Sequence, residues 1–303
     1  MSSSRGGPLD TIMLTHRDAY EEAIRAFRAN VAEAPHPLVD LVYGASVLNG
    51  NFDQVHTRLL ASQANGEDRA EALLGLALAR GDVELAAKAR HTLATRTVQG
   101  ERARFEKAWT LAAMSLWPKS TEVTPALDAL TDALEAVPEV GVRGHGVRMM
   151  LAHSEDKPEV AQSLLASPLP DVRSVASAFT AEAAGDLDAA LTRWSEAIDA
   201  CKSGRIIPHE RYHRARVLLA AGRFAEVPAE CEAVIQPPLF DWACGGLLGP
   251  CMLLTARAHA ALGQHDAAAA MVTRLRDMRG AAAANDALLS EAAGLVQAKA
   301  AGE

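Results

Sequence analysis

Aromatic residues are scarce in this chain: Phe, Tyr and Trp make up 4% of its 303 residues. Sheets draw on aromatic and β-branched side chains, so the scarcity argues against a large β-structure. Cysteine is scarce as well. Cys201, Cys231, Cys244 and Cys251 show no C-x-x-C spacing and are too few for a disulfide framework, so buried free thiols are expected. Long apolar runs are missing too. The uncharged stretch from Trp242 to Ala256 is broken by Gly245, Gly246, Gly249 and Pro250, and a membrane span needs about 20 apolar residues. The segment from Met1 to Pro8 lacks the apolar core of a secretory signal. Positive charge is in deficit: the net charge is −8 and the pI near 5.7. Nucleic acid and anionic membrane are therefore not expected partners, and the expected location is cytoplasmic.

Alanine is abundant, at about a fifth of the chain, and it favours helices because it loses no side-chain entropy there. Its distribution is periodic. In Ala181-Glu-Ala-Ala-Gly-Asp-Leu-Asp-Ala-Ala-Leu-Thr-Arg-Trp-Ser-Glu-Ala-Ile198 a turn glycine, Gly185, is followed by Ala190 at +5, Trp194 at +9 and Ala197 at +12. A glycine can take the left-handed conformation that ends a helix. The small residue lets two helices approach, and the large one fills space along the same face. The pattern recurs at Gly222 and Gly263, and more loosely at Gly81 and Gly50. The interval from Gly81 to Gly185 holds about three units of roughly 35 residues. Its weaker turns are Trp117-Pro-Lys-Ser-Thr121 and His153-Ser-Glu-Asp-Lys-Pro158. Departures are Arg90 at +9 of its unit, and Val227 and Cys231 at +5 and +9 of theirs.

The pattern, over roughly residues 36 to 280, resembles the tetratricopeptide repeat, a two-helix unit of about 34 residues. The resemblance implies an all-α, right-handed α-solenoid of about seven antiparallel hairpins, with capping helices at both ends. The expected organisation is a disordered or extended segment 1–14, then a single solenoid domain over 15–303. A lead helix is expected near Thr15 to Ala34 and a final helix near Asn285 to Ala300. Breaks at Pro35-His-Pro37, Pro168-Leu-Pro170 and Gln236-Pro-Pro-Leu239 read as turns between repeats.

Few motifs carry chemistry. There is no G-x-x-x-x-G-K-[ST], no G-x-G-x-x-G after a strand and no G-x-S-x-G elbow, so no cofactor is expected. Gly141-Val-Arg-Gly-His-Gly146 follows no strand and reads as a helix start or a close-packing site. His209-Glu210-Arg211-Tyr212-His213 does match H-E-x-x-H, in which two imidazoles four residues apart share a helix face and can reach one metal ion. Against that reading, Arg211 and Arg214 are cations beside the metal, and Pro208 sets the first ligand at a helix start. A third ligand does not stand out among Glu226, Glu230, Glu232 and His259. The reading adopted is no metal and no catalytic residue, with a metal-dependent enzyme using residues 209–213 as the alternative.

In tetratricopeptide arrays the first helix of each pair lines a concave groove that holds partner peptides. In the family frame the inward positions lie 13, 10, 6 and 3 residues before the turn glycine. They fall on Val172, Val175, Phe179 and Glu182, then His209, Tyr212, Arg216 and Leu219, then Pro250, Leu253, Arg257 and Ala260. The resemblance thus implies a groove with Phe179, His209, Tyr212, Arg216, Leu253 and Arg257 as partner-binding residues. Arg216 and Arg257 hold equivalent positions and could grip carboxylates, with aromatic neighbours as anchors. The Lys and Asn partners of the family's carboxylate clamp are absent. The plainer role for these arginines is pairing with acids on adjacent helices. Asp40, Asp68 and Glu71 make the N-terminal part of the groove acidic. The expected function is a non-catalytic scaffold or accessory protein that binds a protein or peptide, partners with acidic groups among them.

Overall fold

The computed structural model describes residues 56–57, 66–95, 97, 107, 158–200, 208–235, 245–280 and 286–300. Every regular element among them is a helix. The segment 1–14, the lead helix near 15–34, the turn at Gly50, the groove residue Asp40 and the stretches around Trp117 and Gly141 lie outside the described residues. The helices are α1 (Gly66–Arg80), α2 (Val83–Thr95), α3 (Pro158–Ser163), α4 (Pro170–Ala183) and α5 (Leu187–Ala200). They continue with α6 (Pro208–Ala220), α7 (Val227–Ile235), α8 (Gly245–Ala261), α9 (His265–Arg279) and α10 (Ala287–Ala300). Short 3₁₀ turns, Leu164–Ala166 and Phe224–Glu226, precede α4 and α7. No described helix is long and apolar enough to cross a membrane.

Among the described residues one turn is used four times, between α1 and α2, α4 and α5, α6 and α7, and α8 and α9. Gly81, Gly185, Gly222 and Gly263 all have φ between 69° and 76°. The glycine N–H donates to the carbonyl three residues back, and the next N–H to the carbonyl five residues before itself; for Gly185 these are Gly185 N to Glu182 O at 3.0 Å and Asp186 N to Ala181 O at 3.1 Å. These bonds take up carbonyls that a helix end leaves unpaired. Two of the turns also start the next helix through an Asp side chain: Asp82 Oδ1 accepts from Leu85 N at 3.0 Å, and Asp186 Oδ1 from Ala189 N at 3.1 Å.

The packing register follows the same glycine. At +5 stand Ala86, Ala190, Val227 and Ala268, at +9 Arg90, Trp194, Cys231 and Val272, and at +12 Leu93, Ala197, Val234 and Leu275. All twelve are buried. Arg90 therefore occupies a core position where the other units carry Trp, Cys or Val. Cys231 and Cys251 are buried free thiols. The described fold is thus predominantly helical, with paired and packed helices, as a helical repeat requires.

Pairing accounts for the contacts of α4 with α5 and α6 with α7, and packing of one pair on the next for those of α5 with α6 and α7 with α8. A different contact joins the chain's distant parts: α1 packs against α8 and also touches α9. Gly75 and Gly245 make the crossing close, since a Cβ on Gly245 would lie 2.3 Å from the Gly75 carbonyl oxygen. Helix α8 consequently has neighbours on several sides, α1, α6, α7, α9 and α10, and every residue from Gly245 to Ala256 is buried. A helix surrounded this way must be apolar around its whole circumference, which explains why this stretch carries no charge. Sequential stacking does not predict that arrangement. The last helix begins at Ala287, two residues after the expected Asn285.

Candidate functional site

The richest side-chain cluster lies where the α4–α5 pair meets α6. The repeat frame puts Glu182 in the last turn of α4, Trp194 in the middle of α5, and His213 and Arg216 on successive turns of α6. The Glu182 carboxylate joins them. Its Oε2 accepts from Trp194 Nε1 at 3.1 Å and lies 3.2 Å from His213 Nδ1, while its Oε1 is 3.2 Å from Arg216 Nη2. Burial alone would raise the Glu182 pKa, but His213, Arg216 and Trp194 together hold its carboxyl below the usual glutamate value.

Rings close the cluster. The His213 imidazole stacks on Trp194 with centroids 4.9 Å apart and planes 14° apart. Phe179 and Tyr212 meet the same imidazole edge-on at 5.9 and 5.6 Å. The Arg216 guanidinium carbon stands 5.9 Å from the Tyr212 ring centre, within cation–π range. Burial pushes the Tyr212 phenol up to about 12, with the neighbouring Cys251, Cys231 and Glu182 adding to the rise and Arg216 opposing it. The phenol is therefore a neutral hydrogen-bonding group at any physiological pH.

The six expected groove residues divide by exposure. Phe179, His209 and Leu253 are buried, Tyr212 is half-buried, and the side chains of Arg216 and Arg257 remain 43% and 39% exposed. Phe179, His213, Tyr212 and Arg216 come together around Glu182. Arg257 lies on α8 and pairs with Glu291 of α10. Both arginines therefore bind a carboxylate of a neighbouring helix, the plainer role that their positions suggested.

The H-E-x-x-H residues lie on the first two turns of α6. His209 and His213 share a buried face, as their spacing requires. Yet His213 is held by Glu182 and Trp194, and Arg211 and Arg214 both turn to Glu230 on α7, at 3.0 and 2.5 Å. Glu230, available in the sequence as a ligand, is instead their shared counterion. The Glu210 carboxyl is pushed up to about 7 by burial, and its Oε2 has no hydrogen-bond partner. Among the described residues no group of three or more His, Cys, Asp or Glu side chains is placed to hold a metal ion.

Glu182 is the residue whose importance sequence reasoning missed. It falls on an inward position three residues before Gly185, next in space to the large residue at +9. When that residue is Trp, its indole N–H needs an acceptor once buried, and this need is the signal that could have found it. No family model matches the chain, and no curated protein or solved structure matches it either.

Proposed function

We propose that the chain is a non-catalytic scaffold or accessory protein that binds a protein or peptide through the face of a tetratricopeptide-like array, with Arg216 and Arg257 as its exposed centre and the half-buried Tyr212 beside Arg216. The observation that carries the reading is a register. Arg216 and Arg257 stand six residues before the turn glycines of successive helix pairs, on helices α6 and α8 that touch. Each is held by one acid through one terminal nitrogen. A guanidinium has five N–H donors, so both arginines retain donors for a ligand while their orientation is fixed. Pre-orientation of this kind lowers the entropy lost on binding.

The partner that fits carries carboxylates beside an apolar or aromatic side chain, the first for the guanidinium groups and the second for the Tyr212 ring. The acids already on the arginines favour a partner of mixed charge over a strongly acidic one, because excess negative charge would meet Glu182 and Glu291. A cytoplasmic site of action belongs to the same proposal. The test is affinity capture from extract of the source cells with wild type and with Arg216→Glu/Arg257→Glu. Loss of a specific partner at unchanged helicity supports the reading. Equal capture by the double variant refutes the role of the arginines.

A further inference from the structure

We draw no further inference here: the strongest candidate, the Glu210 carboxyl and the adjoining Arg211–Arg214–Glu230 cluster between α6 and α7, carries nothing, because both guanidinium groups already bind Glu230 and what remains is the raised pKa of Glu210 alone.

Discussion

Replacement of Glu182 measures how the α4–α5 pair is fastened to α6. In Glu182→Ala the Trp194 indole N–H, fully buried, loses its acceptor, and His213 Nδ1 loses its carboxylate. A buried polar group that loses its acceptor costs about 1–3 kcal/mol, so the two together predict a loss of roughly 2–6 kcal/mol, Arg216 being too exposed to add much. Glu182→Gln keeps an acceptor oxygen and the side-chain volume but loses the charge, and should cost less, on the order of 1–2 kcal/mol. Urea unfolding followed by circular dichroism gives both values, provided the slope with denaturant is unchanged. The pH dependence supplies the sign. The folded pKa of Glu182 lies below its unfolded value, so its stabilisation is fully present above about pH 4.5 and fades as pH falls through the folded pKa. Glu182→Gln should abolish that component. A loss below about 0.5 kcal/mol in Glu182→Ala, within the range of an ordinary surface change, would refute the junction described here.

Three further outcomes follow from the same geometry. Ala at Gly185, Gly222 or Gly263 meets no neighbour but must hold φ above 70°, so each change should cost about 1–2 kcal/mol in urea unfolding. Trp194→Ala empties the largest fully buried site among the described residues and should lose about 3–5 kcal/mol, whereas Trp194→Phe keeps a ring and should lose less and show no coupling to Glu182→Gln beyond the missing N–H···O bond. Glu210 behaves oppositely to Glu182. Burial raises its folded pKa to about 7, so the folded form holds a proton that the unfolded chain releases near 4.5, and stability falls as pH rises from there to about 7. Glu210→Gln should therefore stabilise the protein at pH 8, by roughly 2–3 kcal/mol at most, and flatten that part of the pH profile; a destabilised Glu210→Gln would show that the carboxylate is used.

The sequence made the local grammar legible. The turn glycines Gly81, Gly185, Gly222 and Gly263 adopt the left-handed conformation, and the residues counted from them at +5, +9 and +12 are buried. Such positions are dictated by the helical period and by one glycine, both written within twenty residues. The inward frame carried less. It assigns Phe179, His209 and Leu253 to an open groove, but a frame does not say what covers a face, and these three are buried. The docking of α1 on α8 was not legible, because contact between non-successive pairs leaves no period. Its traces are single residues, Gly75 and Gly245, where small size is needed. Likewise the shared counterion of Arg211 and Arg214 comes from α7, nineteen and sixteen positions away, a distance at which charge pairing cannot be read without the turn geometry.

The proposed role of the arginine face is tested most directly by an exchange of charges. Arg257→Glu/Glu291→Arg retains an opposite-charge pair between α8 and α10, at two partly exposed positions, but presents a carboxylate where the partner should meet a guanidinium. If the face binds, this variant should keep the wild-type stability to within about 1 kcal/mol yet weaken partner capture as much as Arg257→Glu alone. Capture at the wild-type level by the exchange would contradict the account, since Arg257 would then serve the fold and not the partner.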